Sequence, residues 1–276
     1  MLGKLLKHEF RATGRIILPL LGAELLLALL AGLSIRGLDH MENMSFLGIL
    51  YITTLVVFFL GLFAIFVVTT VLMIQRFYRS LLRDEGYLSM TLPVSVDEHI
   101  FAKLITSLVW LLATGLLCVL ALFVMLRIGA GFAWESFSLR ELLQQIPAEL
   151  RPYGRNVALF ALETLLVGVF GICTSCLQCY AAMAVGCSAA NHKVLLSFVA
   201  YFLMSLAQSV IQNGLGFALM PQAERLEQYF GSIESIPQAL NAFHGIMGAG
   251  LLISLIYAAI FYFVTRYFLK NKLNLA

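Results

Sequence analysis

The chain has 276 residues, of which 61% are hydrophobic and only 12% are charged, with a formal net charge of +3. Soluble domains are nearer one half apolar and one quarter charged, so this composition excludes an ordinary soluble protein. Long uncharged runs account for the excess, since about 20 apolar residues cross a bilayer. The remainder is too short for a sizeable soluble domain, so we predict one transmembrane domain over residues 1–276.

Six runs are long and apolar enough to be spans, and they predict an all-α integral membrane protein with six transmembrane helices. They cover residues 16–33, 46–75, 104–126, 157–187, 194–220 and 243–268. Placing both termini in the cytoplasm puts twelve of the eighteen Lys and Arg residues on the inner side, as the positive-inside bias requires. We therefore expect a multi-pass protein of a bacterial plasma membrane, with an uncleaved first span and both termini inside.

The first fifteen residues have the pattern of a basic amphipathic helix. Its apolar face holds Leu2, Leu5, Leu6 and Phe10, and its other face holds Lys4, Lys7, His8 and Arg11. Such a helix rests among lipid headgroups with its cations towards anionic lipid. The alternative is an ordinary positive flank of the first span.

Residues 76–103 form a charged segment between two apolar runs and predict a helix, a sharp turn and a second helix. Gly86 is a plausible helix stop, and Pro93 cannot continue a helix. Ser95 and Glu98 have the spacing of a capping box, which marks a new helix start.

The turn of this segment carries apolar residues rimmed by charges, a combination that suits a protein partner. The predicted partner-binding residues are Arg83, Asp84, Glu85, Tyr87, Leu88, Met90, Leu92 and Pro93. The alternative is a solvated loop that packs on its own helices. On the opposite side of the membrane, short outer helices are predicted at 138–147 and 221–230, each with helix start and stop signals.

Glu24 and Glu163 are the acidic residues within predicted spans, and ionisable groups there usually face a cavity or a partner. Glu24 lies about 12 Å into the first span, at 1.5 Å per residue. It is either a site for a cationic substrate or a proton carrier, or a protonated side chain bonded to a neighbouring helix. Glu163, nearer the outer end, has a structural role in our interpretation.

Polar residues in the fifth span recur on one helix face, and aromatic residues crowd the second span. The polar stripe comprises Ser197, Tyr201, Ser205, Gln208 and Gln212. Such side chains either line a wet pathway or join helices. The residues assigned to a substrate pathway or helix interface are Glu24, Phe58, Gln208 and Gln212.

Motifs for catalysis or a resident cofactor are missing from the sequence. Cys173, Cys176 and Cys179 lie within a continuous apolar run, where small-residue packing is favoured over cluster ligation. Because no phosphate-binding loop or zinc-protease motif occurs, we expect no enzyme activity, no metal and no cofactor in this chain. We also expect no nucleic-acid partner.

Three features together resemble the permease subunits of ABC transporters of the type-2 exporter family. They are the basic start MLGKLLKHEFRATGR, the segment RDEGYLSMTLPVS between spans two and three, and six spans with short helices between the last two. At the level of individual letters the likeness is concentrated in about residues 81–95.

The resemblance implies an elbow helix at residues 1–15 and a coupling helix within 76–103 that docks on a separate ATPase subunit, which binds ATP and Mg²⁺. It also implies a homodimer, or a pair with a similar sister subunit, that exports a substrate. The rival hypotheses are a proton-coupled secondary transporter that uses Glu24, and a membrane-embedded sensor or enzyme.

Overall fold

A computed structural model describes residues 2–38, 46–82, 94–130, 153–189, 192–218 and 236–271. Within these ranges the protein is all-helical and has no strand. The helices are α1 (Leu2–Leu38), α2 (Phe46–Phe77), α3 (Val96–Gly129), α4 (Gly154–Gly186), α5 (Lys193–Ala218) and α6 (Ile236–Asn271). A π-helical segment, Tyr78–Leu82, extends α2.

All six helices are long and apolar enough to cross a membrane, which confirms the predicted number of candidate spans. Each predicted span coincides with one helix, apart from residue 187, which follows α4, and residues 219–220 of the fifth span, which lie outside the described residues. Large apolar side chains cover the helix exteriors; Phe63 is 71% exposed and Phe198 is 70% exposed. Such surfaces are expected for helices solvated by lipid chains.

The first of two compact units comprises Met1–Arg76 and Phe101–Gln145. In its described part, α1, α2 and α3 share two apolar clusters. One contains Ile17, Leu21, Ile65, Met73 and Trp110, and the other contains Ala28, Ala31, Phe58, Ala121 and Met125. The small residues of the second cluster allow the helices to approach closely.

Helices α1 and α3 meet closely near Gly32. A methyl group on this residue would lie 2.7 Å from Ile128 Cβ and 2.9 Å from the carbonyl oxygen of Met125. Only glycine fits this crossing without displacing the neighbouring helix.

The second unit comprises Phe77–Ile100 and Ile146–Ala276, and in it α4 packs against both α5 and α6. Gln178 Nε2 donates a hydrogen bond of 2.8 Å to Ser205 Oγ on α5. Thr174 Oγ1 donates one of 3.1 Å to the carbonyl oxygen of Ser254 on α6. Polar bonds between helices are thus added to apolar packing, as is common in membranes.

The predicted amphipathic segment and the first span form one continuous helix, α1, which contains Pro19. Proline within a spanning helix is tolerated where neighbouring groups satisfy the released carbonyl. Within residues 2–15, the four apolar residues named above are half-buried and the four basic residues are exposed. The position of this segment at a headgroup layer stays a prediction.

Several predicted features lie outside the described residues. They are the turn at Tyr87–Pro93, the helix stop at Gly86, and the two short outer helices at 138–147 and 221–230.

Candidate functional site

A three-membered ion cluster joins α1, α2 and α3 at the end of the first unit nearest the charged segment. The Glu9 carboxylate accepts a hydrogen bond of 2.9 Å from Arg76 Nε through Oε2 and one of 2.7 Å from Lys103 Nζ through Oε1. The Lys103 side chain is only 6% exposed and that of Glu9 is 16% exposed. The bond from Lys103 is therefore stronger than that of a surface pair, whereas the bond from Arg76 is weakened by solvent because this side chain is 39% exposed.

Next to this cluster, Trp110 on α3 packs on the same stretch of α1. Its Nε1 donates a buried hydrogen bond of 2.8 Å to Thr13 Oγ1. Its ring lies 6.2 Å from that of Phe10, centre to centre. The basic N-terminal helix is therefore attached to α3 by both polar and aromatic contacts.

Residues 77–82 and 94–100 of the predicted coupling segment lie in the second unit. The part that leads into α3 begins with the predicted capping box. Ser95 Oγ accepts a bond of 3.2 Å from the Glu98 N–H, and the Glu98 carboxylate accepts one of 3.2 Å from the Ser95 N–H. The predicted helix start is thereby confirmed.

Asp97, inside this capping box, connects α3 to the last helix. Its Oδ1 accepts hydrogen bonds from Tyr262 Oη at 2.7 Å and from Arg266 Nε at 2.8 Å.

On the other side of the coupling segment, Phe77 stacks on Tyr180 of α4, with ring centres 3.9 Å apart and planes within 5° of parallel. Leu81 and Leu82 are also buried. Both sides of the segment are thus anchored to helices of the second unit.

The eight residues predicted to bind a partner all fall in the part of the chain that the structure leaves undescribed. They are Arg83, Asp84, Glu85, Tyr87, Leu88, Met90, Leu92 and Pro93. Their role as a docking surface stays a prediction, and the structure defines only how the segment begins and ends.

Glu24 lies inside the first unit and is 3% exposed. Its Oε2 lies close against Gly61 of α2, where an added Cβ atom would clash with it. Within the described part of the chain, Oε1 is buried and meets no hydrogen-bond partner. The carboxyl group is therefore held between helices and has no cationic partner among the described residues.

The other residues assigned to a substrate pathway or helix interface occupy different surroundings. Phe58 is fully buried in the apolar cluster between α1, α2 and α3, which favours the helix-interface interpretation. Gln208 is half-buried and Gln212 is exposed on α5. Of the same polar stripe, Ser205 bonds α4 and Ser197 lies against Gly186 of α4. That part of the stripe joins helices of the second unit, to which Gln208 and Gln212 also belong, whereas Glu24 and Phe58 belong to the first unit.

Glu163 has a specific partner that its sequence position did not indicate. Its Oε2 lies 2.7 Å from Nδ1 of His244, so α4 and α6 are joined by a polar contact in the second unit. Nearby, Phe160 and Phe243 make an edge-to-face pair with ring centres 6.1 Å apart. The pair fits the structural role predicted for Glu163.

Sequence reasoning missed the roles of Glu9 and Asp97. The sequence contained one signal for Glu9, because it is the single acid among the basic residues of 1–15. Asp97 carried no such signal, since an acid in a first helical turn is ordinarily explained by the helix dipole.

The three cysteines of the C-x-x-C-x-x-C run lie on the continuous helix α4. Cys176 is buried, and Cys173 and Cys179 are half-buried. No group of three metal-binding side chains is found among the described residues.

Comparisons with protein-family models, curated proteins and solved structures find no match to this chain.

Proposed function

We propose that this chain is the membrane-spanning subunit of an ATP-driven exporter, coupled through residues 76–103 to a separate ATPase subunit. The anchoring of both sides of that segment is the observation that best supports the proposal. Phe77 stacks on α4, and Asp97 binds α6. Because both sides of the segment are attached to helices, a movement of the docked partner would be transmitted to those helices and not lost in motion of the loop.

In this mechanism, ATP binding draws two partner subunits together and displaces the coupling segment. Asp97 passes the displacement to α6 through its bonds to Tyr262 and Arg266. Within the first unit, Arg76 and Lys103 pass it to α1 through Glu9. ATP and Mg²⁺ bind the partner, whereas this chain, with a second copy or a similar subunit, contributes the substrate pathway.

The test is co-purification of the chain with an ATPase that carries a phosphate-binding loop. Leu88→Asp and Met90→Asp introduce charge into the predicted docking residues. We expect the double variant to reach the membrane at the normal level but to lose the ATPase from the purified complex. ATP turnover by the purified sample should fall to background.

The matched control is Leu142→Asp with Leu143→Asp, which makes the same change in the predicted outer helix. This control should keep the ATPase bound. Retention of the ATPase by the Leu88 and Met90 variant, or purification of the wild-type chain without any such ATPase, would contradict the proposal.

A further inference from the structure

We propose that Glu24 is a proton-binding site: a neutral carboxylic acid that sits on Gly61 and holds α1 against α2. The inference does not depend on an ATPase partner. It follows from the packing around one side chain in the first unit.

The carboxyl group of Glu24 faces residues of α2 and α3. Helix α2 contributes Gly61, which has no side chain, and the apolar Phe58 one turn away is fully buried. Helix α3 contributes Cys118, a titratable but uncharged neighbour of Glu24. Neither helix presents Glu24 with a Lys, Arg or His side chain within the described ranges.

These surroundings determine the charge of the Glu24 carboxyl group. An ionised carboxylate buried in an apolar medium without a cation or hydrogen-bond donors is strongly unfavourable, and such a group is neutralised instead. The buried Oε1 of Glu24 has no donor among the described residues. Binding one proton removes the charge without requiring any additional space.

The contact between Glu24 and Gly61 limits what the carboxyl group can bind. A Cβ atom on residue 61 would clash with Oε2, so the carboxyl group already lies in close contact with the backbone of α2. A proton therefore fits this contact, whereas an organic cation would need α1 and α2 to separate. Conversely, loss of the proton leaves a charge that is stable only where water reaches it, so deprotonation and opening of the α1–α2 contact favour each other.

Infrared difference spectroscopy of the purified protein in lipid nanodiscs at neutral pH tests this inference. The carbonyl stretching band of a neutral carboxylic acid should be present in the wild type and shift in D₂O. It should be lost in both Glu24→Gln and Glu24→Leu. The control Glu163→Gln removes the other intramembrane acid, whose partner is His244, and should keep the band.

A second readout is the dependence of the melting temperature on pH. Raising the pH above neutral should lower the melting temperature of the wild type more than that of Glu24→Gln, which mimics the neutral acid. If the wild type and Glu24→Gln show the same carboxylic-acid bands and the same pH dependence, the inference is wrong, whether or not an ATPase binds.

Discussion

At the scale of single residues, Glu9 contributes most to the described ion pairs because one carboxylate binds cations from two other helices. We expect Glu9→Gln to lower the free energy of unfolding by about 1–3 kcal/mol, the usual loss for hydrogen bonds to charged groups. Thermal unfolding in detergent measures the change. Arg11→Gln is the control, because Arg11 is exposed on the same helix; an equal loss in both variants would contradict a specific role for Glu9.

The contact between Glu24 and Gly61 predicts a non-additive pair of substitutions. Gly61→Ala places a methyl group in steric clash with Oε2, and overpacking of this kind costs about 1–3 kcal/mol. In the Glu24→Ala background the same methyl enters vacated space, so its cost should nearly disappear. A double-mutant cycle on melting temperatures measures the coupling, and additive effects would show that the two residues do not touch.

At the scale of helices, the crossing of α1 and α3 at Gly32 predicts a marked difference between two glycines of one helix. Gly32→Ala should destabilise the protein by about 1–3 kcal/mol through its clash with Ile128. Gly22→Ala meets no atom within 4 Å and should be neutral or stabilising by up to about 1 kcal/mol, since alanine favours the helix. Chemical unfolding of both variants gives the comparison, and similar losses would refute the crossing.

The connection of α3 to α6 predicts a variant that separates docking from coupling. Asp97→Asn weakens the bonds to Arg266 and Tyr262, which are partly exposed and so contribute less than about 1 kcal/mol each to stability. Under the proposed function, the ATPase should stay bound while ATP turnover by the complex falls by about threefold to tenfold, the kinetic equivalent of 0.7–1.4 kcal/mol. The control Glu98→Gln keeps the Asp97 contacts, and unchanged turnover in Asp97→Asn would argue against this transmission route.

At the scale of the whole molecule, the distribution of basic residues predicts the direction in which the helices cross the membrane. In intact cells, a membrane-impermeant thiol reagent should label Gly154→Cys at the outer start of α4 but not Gly3→Cys. Both should be labelled once the membrane is opened. The reverse pattern would place the termini outside and would remove the coupling segment from the cytoplasm.

The helical architecture could be predicted from the sequence because apolar runs of this length have few alternatives in a membrane. The capping box at Ser95 and Glu98 was predictable for a similar reason, since its two bonds are local. Contacts such as Glu9 with Lys103, or Glu163 with His244, join residues 94 and 81 positions apart. They depend on which helices become neighbours, and spacing along one helix does not encode that choice.

The position of Glu9 has a consequence for biosynthesis. Its partners Arg76 and Lys103 follow it by 67 and 94 residues, so the ribosome delivers this anion well before either cation. Until the first of these cations has been synthesised, the acid must remain hydrated at the surface, because burying it alone is unfavourable. The ion pairs that join α1, α2 and α3 can therefore all form only after Lys103 has been synthesised.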